Sequence, residues 1–329
     1  MADVVVGIDV SKNKLDVNLC GGGREKVKAF DNSSAGWRHL DSWLRDQKLR
    51  CALICLEATG RYSLGVALAL HEAGYVVSIV NPAQIRDFAR SKLGRNKTDD
   101  IDAALIREYG EKFSPRPWTP PTPAMRRLRE LQTVRAGIVA SLTEWKNRDG
   151  SGLEDQAARV LTGEMVRHLA TQLEAVDKVI AETIEGDNEL RAKRDLLLTI
   201  NGVGDILASI VLAELPGPEI LRSGSEVAAY AGLNPAQHRS GSSINRPTRI
   251  SRIGDAVLRA ALYMPALTAM RFNPAVKALA MRLRAQGRLA PKQIVVAAMR
   301  KLLVLCFGVL KSGMPFIAQV AMSEAPSKP

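Results

Sequence analysis

Val4-Val5-Val6-Gly7-Ile8-Asp9-Val10, followed after a polar gap by Leu15-Asp16-Val17-Asn18-Leu19-Cys20, is the stretch on which the fold turns. The first run is compact and β-branched, and the second alternates apolar with polar residues, the period of two that a half-buried strand requires. Gly21-Gly22-Gly23 supplies a turn before a third extended piece, Val27 to Phe30, so three antiparallel strands are expected. Working outward, Ser33 or Ser34 caps a helix reaching about Arg45, Ala52 to Leu56 reads as a buried strand, and Tyr62 to Ala73 as a helix closed by Gly74. Tyr75 to Val80 is a fifth strand. Pro82 opens another helical stretch, and Asp99 to Tyr109 is a last helix with Ile101, Leu105 and Ile106 as its apolar stripe.

Three strands, helix, strand, helix, strand, helix is the element order of the ribonuclease H and RuvC-like nucleases, although other α/β domains share it. Acids fall at telling places on this map. Asp9 ends the first strand, Glu57 ends the fourth, and Asp99 and Asp102 lie three apart on the last helix, where they share a face. Phosphoryl transfer assisted by two metal ions needs several oxygen ligands converging on ions roughly 3.5–4 Å apart, and four carboxylates from three elements can supply them. Each acid also has a local use: Asp9 and Glu57 could stabilise turns, and Asp99 could be the N-terminal charge of its helix. Asp100 points about 100° away from Asp99 and reads as a solvated acid. Asp16, inside the second strand, is a reserve ligand. Lys97, just before the helix, could touch a phosphate or be an ordinary surface lysine.

The stretch Phe113 to Pro123 contains five prolines, Pro123 included, which prevent regular structure and predict a semi-rigid strap. A helix follows from about Ala124 to Trp145. Beyond a Gly/Ser break, Val166, Leu169, Leu173, Val176 and Ile180 recur at steps of three and four, a heptad seam or the apolar face of a helix packed on its own domain. From Leu196 the chain is mainly helical.

At 329 residues the chain exceeds one ordinary core. Its net charge of +12 is concentrated: Asn234 to Lys301 holds 13 Lys and Arg against one acid, Asp255, and the remainder is neutral. A polyphosphate partner explains such a segment better than a solvated face, which would carry interspersed acids. Cys20, Cys51, Cys55 and Cys306 form no CxxC pair, which argues against a zinc site or a disulfide framework and for buried thiols in a reducing compartment. The N-terminus lacks the pattern of a signal peptide, and Arg300 and Lys301 break the apolar stretch Ile294 to Leu310; a cytoplasmic protein is expected.

Two C-terminal motifs carry chemistry. Leu196 to Gly204, with Asn201-Gly202-Val203-Gly204 before a second helical run, looks like a helix-hairpin-helix, in which Gly202 and Gly204 let backbone amides meet a DNA phosphate; a tight helical turn is the plainer alternative. His238-Arg239-Ser240-Gly241-Ser242-Ser243, followed by Arg246, Arg249 and Arg252, places a serine on a glycine loop among cations, which suits attack on a phosphodiester. Ser242, Ser243 and Ser251 are polar rivals, and His238 could move a proton or simply be satisfied in the loop.

Gly7-Ile8-Asp9-Val10-Ser11-Lys12, Glu57-Ala58-Thr59-Gly60, Lys97-Thr98-Asp99-Asp100-Ile101-Asp102-Ala103, the Asn201 to Gly204 hairpin, Ala229-Tyr230-Ala231-Gly232-Leu233, Ser240-Gly241 and Ile250-Ser251-Arg252-Ile253-Gly254 occur in an order that resembles the IS110 family of insertion-sequence transposases. That family includes Piv-type DNA invertases and bridge-RNA-guided recombinases. The resemblance implies a RuvC-like DEDD nuclease domain over 1–148 with a trailing helix, a helical coiled-coil connector over 149–190, and a mainly α-helical serine transposase domain over 191–329. It also implies that Asp9, Glu57, Asp99 and Asp102 hold magnesium, with manganese able to substitute, and that Ser240 becomes linked to a DNA 5′ phosphate. Donor and target DNA, an element-encoded bridge RNA, and a homodimer or homotetramer with composite active sites are the implied partners. Asn201 stands where the family often has proline, and Ser242 where it often has a second glycine, which leaves Ser242 open beside Ser240.

Overall fold

A computed structural model describes residues 4–21, 24–47, 52–58, 60–92, 99–217, 220–236, 239–240, 244–245, 249–251 and 253–318, with backbone alone at 21, 61, 99–101, 236, 239–240, 244–245 and 249. The chain divides into two compact units, Met1–Pro120 and Pro121–Pro329.

In the first unit the expected order appears: β1 (Val5–Val10), β2 (Lys14–Gly21), β3 (Arg24–Asp31), α1 (Ser34–Asp46), β4 (Leu53–Glu57), α2 (Arg61–Glu72), β5 (Val76–Val80), α3 (Pro82–Ser91) and α4 (Asp99–Phe113). The five strands form one sheet in the order β3-β2-β1-β4-β5. β1, β2 and β3 are antiparallel neighbours, whereas β4 runs parallel to β1 and β5 parallel to β4. The parallel pairs need crossovers, and α2 spans the one between β4 and β5. Ser33 caps α1 and Asn81 caps α3, each side chain accepting an amide of the first turn.

Because strand side chains alternate, the sheet separates two cores. Val6, Ile8, Val10, Leu15, Val17, Ile54 and Leu56 pack with Leu40 and Leu44 of α1 and Val66 and Leu70 of α2. Leu53, Cys55 and Val80 face the other way, against Ile85 and Phe88 of α3 and Ile106 and Tyr109 of α4. Burial pushes the Cys55 thiol up to about 12, so it is an inert core residue. The proline strap is fastened along β5 over its first half: the Ser78 hydroxyl donates to the carbonyls of Pro115 and Arg116, and the Trp118 amide donates to Val77.

The second unit is mainly helical: α5 (Pro123–Asp149), α6 (Gln156–Glu185), α7 (Asn188–Leu198), α8 (Asp205–Glu214), α9 (Gly224–Tyr230), α10 (Ala256–Ala261), α11 (Tyr263–Phe272), α12 (Pro274–Ala285) and α13 (Pro291–Ser312). Between α9 and α10 lie four two-residue strands: β6 (Pro235–Ala236), β7 (Arg239–Ser240), β8 (Ile244–Asn245) and β9 (Arg249–Ile250). α5 and α6 form an antiparallel hairpin across a short connection, tied by Arg135 Nε to Asp177 Oδ1 at 2.6 Å. In the seam read from the sequence, Val176 and Ile180 are buried and Val166, Leu169 and Leu173 half-buried, while Leu128 and Leu142 of α5 are buried opposite. α8 is the central helix, buried without interruption from Leu207 to Ala213. α13 is long and apolar enough to cross a membrane, yet its Val295, Leu302, Leu303, Cys306 and Phe307 belong to the core of this unit.

Candidate active site

Four strand positions place the acids. The parallel register of β1 and β4 runs through Ile8↔Leu56, so the next residues, Asp9 and Glu57, are neighbours at the carboxyl ends of adjacent strands. Ile8 and Leu56 are wholly buried toward α1 and α2, and alternation therefore directs Asp9 and Glu57 to the face that carries α4. On the other side of β1, Asp9 pairs with Asp16 and Gly7 with Asn18, which puts Asp16 and Asn18 on this same face. The carboxylates of Asp9 and Glu57 are half-buried, whereas Asp16 is 4% exposed and meets Lys14 Nζ at 2.7 Å.

Two glycines let α4 lie against this surface. A Cβ on Gly110 would run into Val5 and Cys55, and one on Gly7 would run into the Ala103 carbonyl and the Arg107 backbone. Moving from Val5 to Gly7 along β1 therefore moves backward along α4, from Gly110 to the 103–107 turn. A further strand step of about 6.6 Å, from Gly7 to Asp9, corresponds to four or so helical residues at about 1.5 Å each. It arrives at the first turn of α4, which carries Asp99 and Asp102. The structure thus brings Asp9, Glu57 and the half-buried Asp102 to one end of one sheet face, with the backbone of Asp99 at the start of the helix there. Among the described residues no three acidic, histidine or cysteine side chains are gathered as ligands of one ion. The side chain of Asp99 lies outside the described residues, as does Lys97.

Arg107 was not singled out in the sequence, and it fixes the helix that carries these acids. Only 9% exposed, it donates from Nε to Asn18 Oδ1 at 2.8 Å and bonds Glu111, while Glu25 lies 3.8 Å from its Nη2. Asn18 is itself 1% exposed and donates to Glu25. The signal that could have revealed it is its position one residue after Ile106, on the apolar stretch Ala103 to Ile106 of α4.

In the second unit α7 and α8 are joined by the expected glycine hairpin. Gly202 has φ +101° and touches α11 so closely that a Cβ would meet Ala269. Gly204 is the N-cap of α8 with open space beside it and no side-chain cap, which leaves first-turn amides available to an anion. Ser240 does not lie in an unpaired glycine loop. Its backbone belongs to a nested ribbon in which Pro235↔Ile250 and Ala236↔Arg249 form an outer ladder, and Arg239↔Asn245 and Ser240↔Ile244 an inner one. The ribbon is closed at its base by Ser251, whose amide donates to the Asn234 carbonyl and whose hydroxyl donates to Asn234 Oδ1 at 2.6 Å. The backbone of Ser240 thus stands at the inner end of the ladder, with Arg239 and Arg249 on the same ribbon; Arg246, Arg252, His238, Ser242 and Ser243 lie outside the described residues. Sequence reasoning missed the ribbon because two-residue strands carry no periodicity.

Comparison with known proteins follows the same division. A transposase model of the IS110 DEDD type matches residues 6–155, and the model of the IS116/IS110/IS902 transposase family matches residues 194–280. The pilin gene-inverting protein of Moraxella bovis is 31% identical over 319 residues, covering 96% of this chain and 98% of that one. The transposase for insertion sequence element IS1328 of Yersinia enterocolitica is 26% identical over 293 residues, 78% of this chain and 80% of its own length. A solved RuvC from T. thermophilus, in complex with a Holliday junction, is matched over 35% of this chain at 16% identity with a TM-score of 0.27, too slight a likeness to argue from.

Proposed function

We propose that this chain, which belongs to the IS110 family of transposases, cuts and rejoins DNA through a covalent link between Ser240 and a 5′ phosphate. The observation that carries the proposal is the placement of Asp9 and Glu57 at adjacent strand ends beneath the turn of α4 that bears Asp102. This is the catalytic end of a RuvC-like nuclease domain, and its all-oxygen donor set, with Asp99, suits a hard divalent cation such as magnesium or manganese. Bound there, such an ion would stabilise the attacking and leaving oxygens of the displacement.

The chain's own groups do the rest. The Ser240 hydroxyl attacks phosphorus, an Oγ–P bond forms, the P–O3′ bond breaks, and the serine proton is balanced by the one the departing 3′ oxygen gains. The number of phosphoester bonds is unchanged, so a second 3′ hydroxyl can reverse the step on a different strand without ATP. Arg239, Arg246, Arg249 and Arg252 supply positive charge to phosphates, and the amides after Gly202 and Gly204 grip a backbone without reading bases. Ser240 and the carboxylates must act on one phosphodiester, from one subunit or from two of a dimer or tetramer. An element-encoded bridge RNA as guide, a helical connector over 149–190 between the two catalytic parts, and the nucleoid as workplace complete the proposal.

Trapping tests it. The protein is incubated with element-end DNA, its RNA and magnesium, and the DNA-linked peptide is mapped by mass spectrometry. An adduct at Ser240, lost in Ser240→Ala and in Asp102→Asn, is expected. Cleavage that survives in Ser240→Ala and disappears in Asp102→Asn would instead identify a hydrolytic junction nuclease, and magnesium-independent binding without strand cleavage a non-catalytic nucleic-acid-binding protein. An adduct at Ser242 or Ser243 would keep the chemistry and move the nucleophile.

A further inference from the structure

Cations in the second unit differ in their partners. On α5, α6 and α7 several pair with acids, Arg135 with Asp177, Lys193 with Glu189, and Arg194 with Asp195. On α11, α12 and the start of α13, Arg271, Lys277, Arg282, Arg284, Arg288 and Lys292 are exposed, and among the described residues none of their side chains has an ion pair or hydrogen bond. Nor could acids be recruited from nearby sequence, for none occurs between Ala256 and Ser323. Mutual repulsion among such cations lowers stability, and a polyanion relieves it.

Helical spacing orders two of them. Lys277, Met281 and Arg284 follow at steps of four and three, so they share one side of α12, and Arg288 comes three residues after its last residue; all four are exposed. From Lys277 to Arg284 the rise is about 10.5 Å at 1.5 Å per residue. Duplex DNA presents a charge about every 1.7 Å of its axis, so a row of this length meets several phosphates.

One side chain joins the row to the hairpin. Asn273, wholly buried, caps α12 by accepting the amides of Ala275 and Val276 through Oδ1, and donates through Nδ2 to the Asn201 carbonyl at 3.2 Å. The first turn of α12 is thereby fastened to the loop that opens α8 at Gly204.

We infer that Lys277 and Arg284 on one side of α12, with Arg288 just beyond its end, form a second DNA-backbone surface, separate from the serine ribbon, which extends the grip of the hairpin along duplex DNA beyond the bond being cut. The inference rests on DNA as the substrate. It assigns to this surface affinity without sequence preference, since cations that meet phosphates have no role in distinguishing bases.

The test is fluorescence anisotropy of full-length protein on labelled element-end duplexes over a salt series, without divalent metal, with Lys277→Gln/Arg284→Gln/Arg288→Gln beside wild type. The triple variant should bind at least about tenfold more weakly, and its plot of log affinity against log salt should flatten by about 2 to 3, near 0.9 for each lost phosphate contact. Lys277→Arg/Arg284→Lys/Arg288→Lys should retain wild-type affinity and slope. All substitutions are at exposed positions, and unchanged circular dichroism and melting temperature verify folding. Wild-type affinity and slope in the triple variant would overturn the inference while leaving the transposase reading intact. So would loss confined to an RNA hairpin with duplex binding unaffected. If the wild type binds no duplex at any salt, both readings fall together.

Discussion

Gly7 shows how a single missing atom sets the site. It lies between the buried Val6 and Ile8 and beneath α4, and any Cβ there would strike the helix backbone, which cannot rotate away as a side chain can. Gly7→Ala should therefore lift the first turn of α4 from Asp9 and cost about 1–3 kcal/mol, typical of overpacking. The checks are a lower melting temperature and a loss of DNA cleavage, with DNA binding by the second unit's surfaces retained; unchanged cleavage would show that α4 is not positioned as described. Glu214 poses an electrostatic question. Burial, reinforced by nearby Asp255 and opposed by Arg129, raises its pKa above the ordinary value of 4.5. The folded chain then holds this proton more tightly than the unfolded chain, so the side chain subtracts stability as pH climbs from the ordinary carboxylate range through the folded value. Glu214→Gln should melt higher than wild type at neutral pH, with the difference shrinking to nothing below pH 4.5; a constant difference at all pH values would contradict the assignment.

At the scale of elements, the ribbon and the helices that flank it differ in what holds them. α8 is buried from Leu207 to Ala213, and Leu207→Ala there should cost about 2–5 kcal/mol. The ribbon's two-residue ladders are too short to be stable alone, and its firm attachment is the Asn234–Ser251 pair at its base. Replacing residues 236–249 with a short glycine linker should leave the melting temperature of the second unit nearly unchanged and abolish the DNA-linked peptide. A collapse in melting temperature would instead make the ribbon part of the core. α5 and α6 illustrate the other limit. The heptad-like seam of α6 was visible, but a seam does not name its partner; within this chain α5 covers it, with Leu128 in one core with Val176 and Ile180.

For the whole molecule, the sequence alone determined the element order of the first unit, the acids at the ends of β1 and β4 and in the first turn of α4, the glycine hairpin between α7 and α8, and the segregation of positive charge into the C-terminal part. These are legible because strand and helix periods, caps and composition are local properties of consecutive residues. Only the tertiary structure decided that Asp9 stands between Glu57 and Asp16, that Arg107 reaches Asn18 across 89 positions, that Gly7 admits α4, and that Ser240 is held in a nested ribbon. It also turned Asn273 from one more polar residue before a proline into the link between α12 and the hairpin. The reason is physical: strand register and helix docking are fixed by contacts between residues far apart in the chain, where burial, close approach and hydrogen bonding are satisfied together, and no local pattern records which distant partner supplies them.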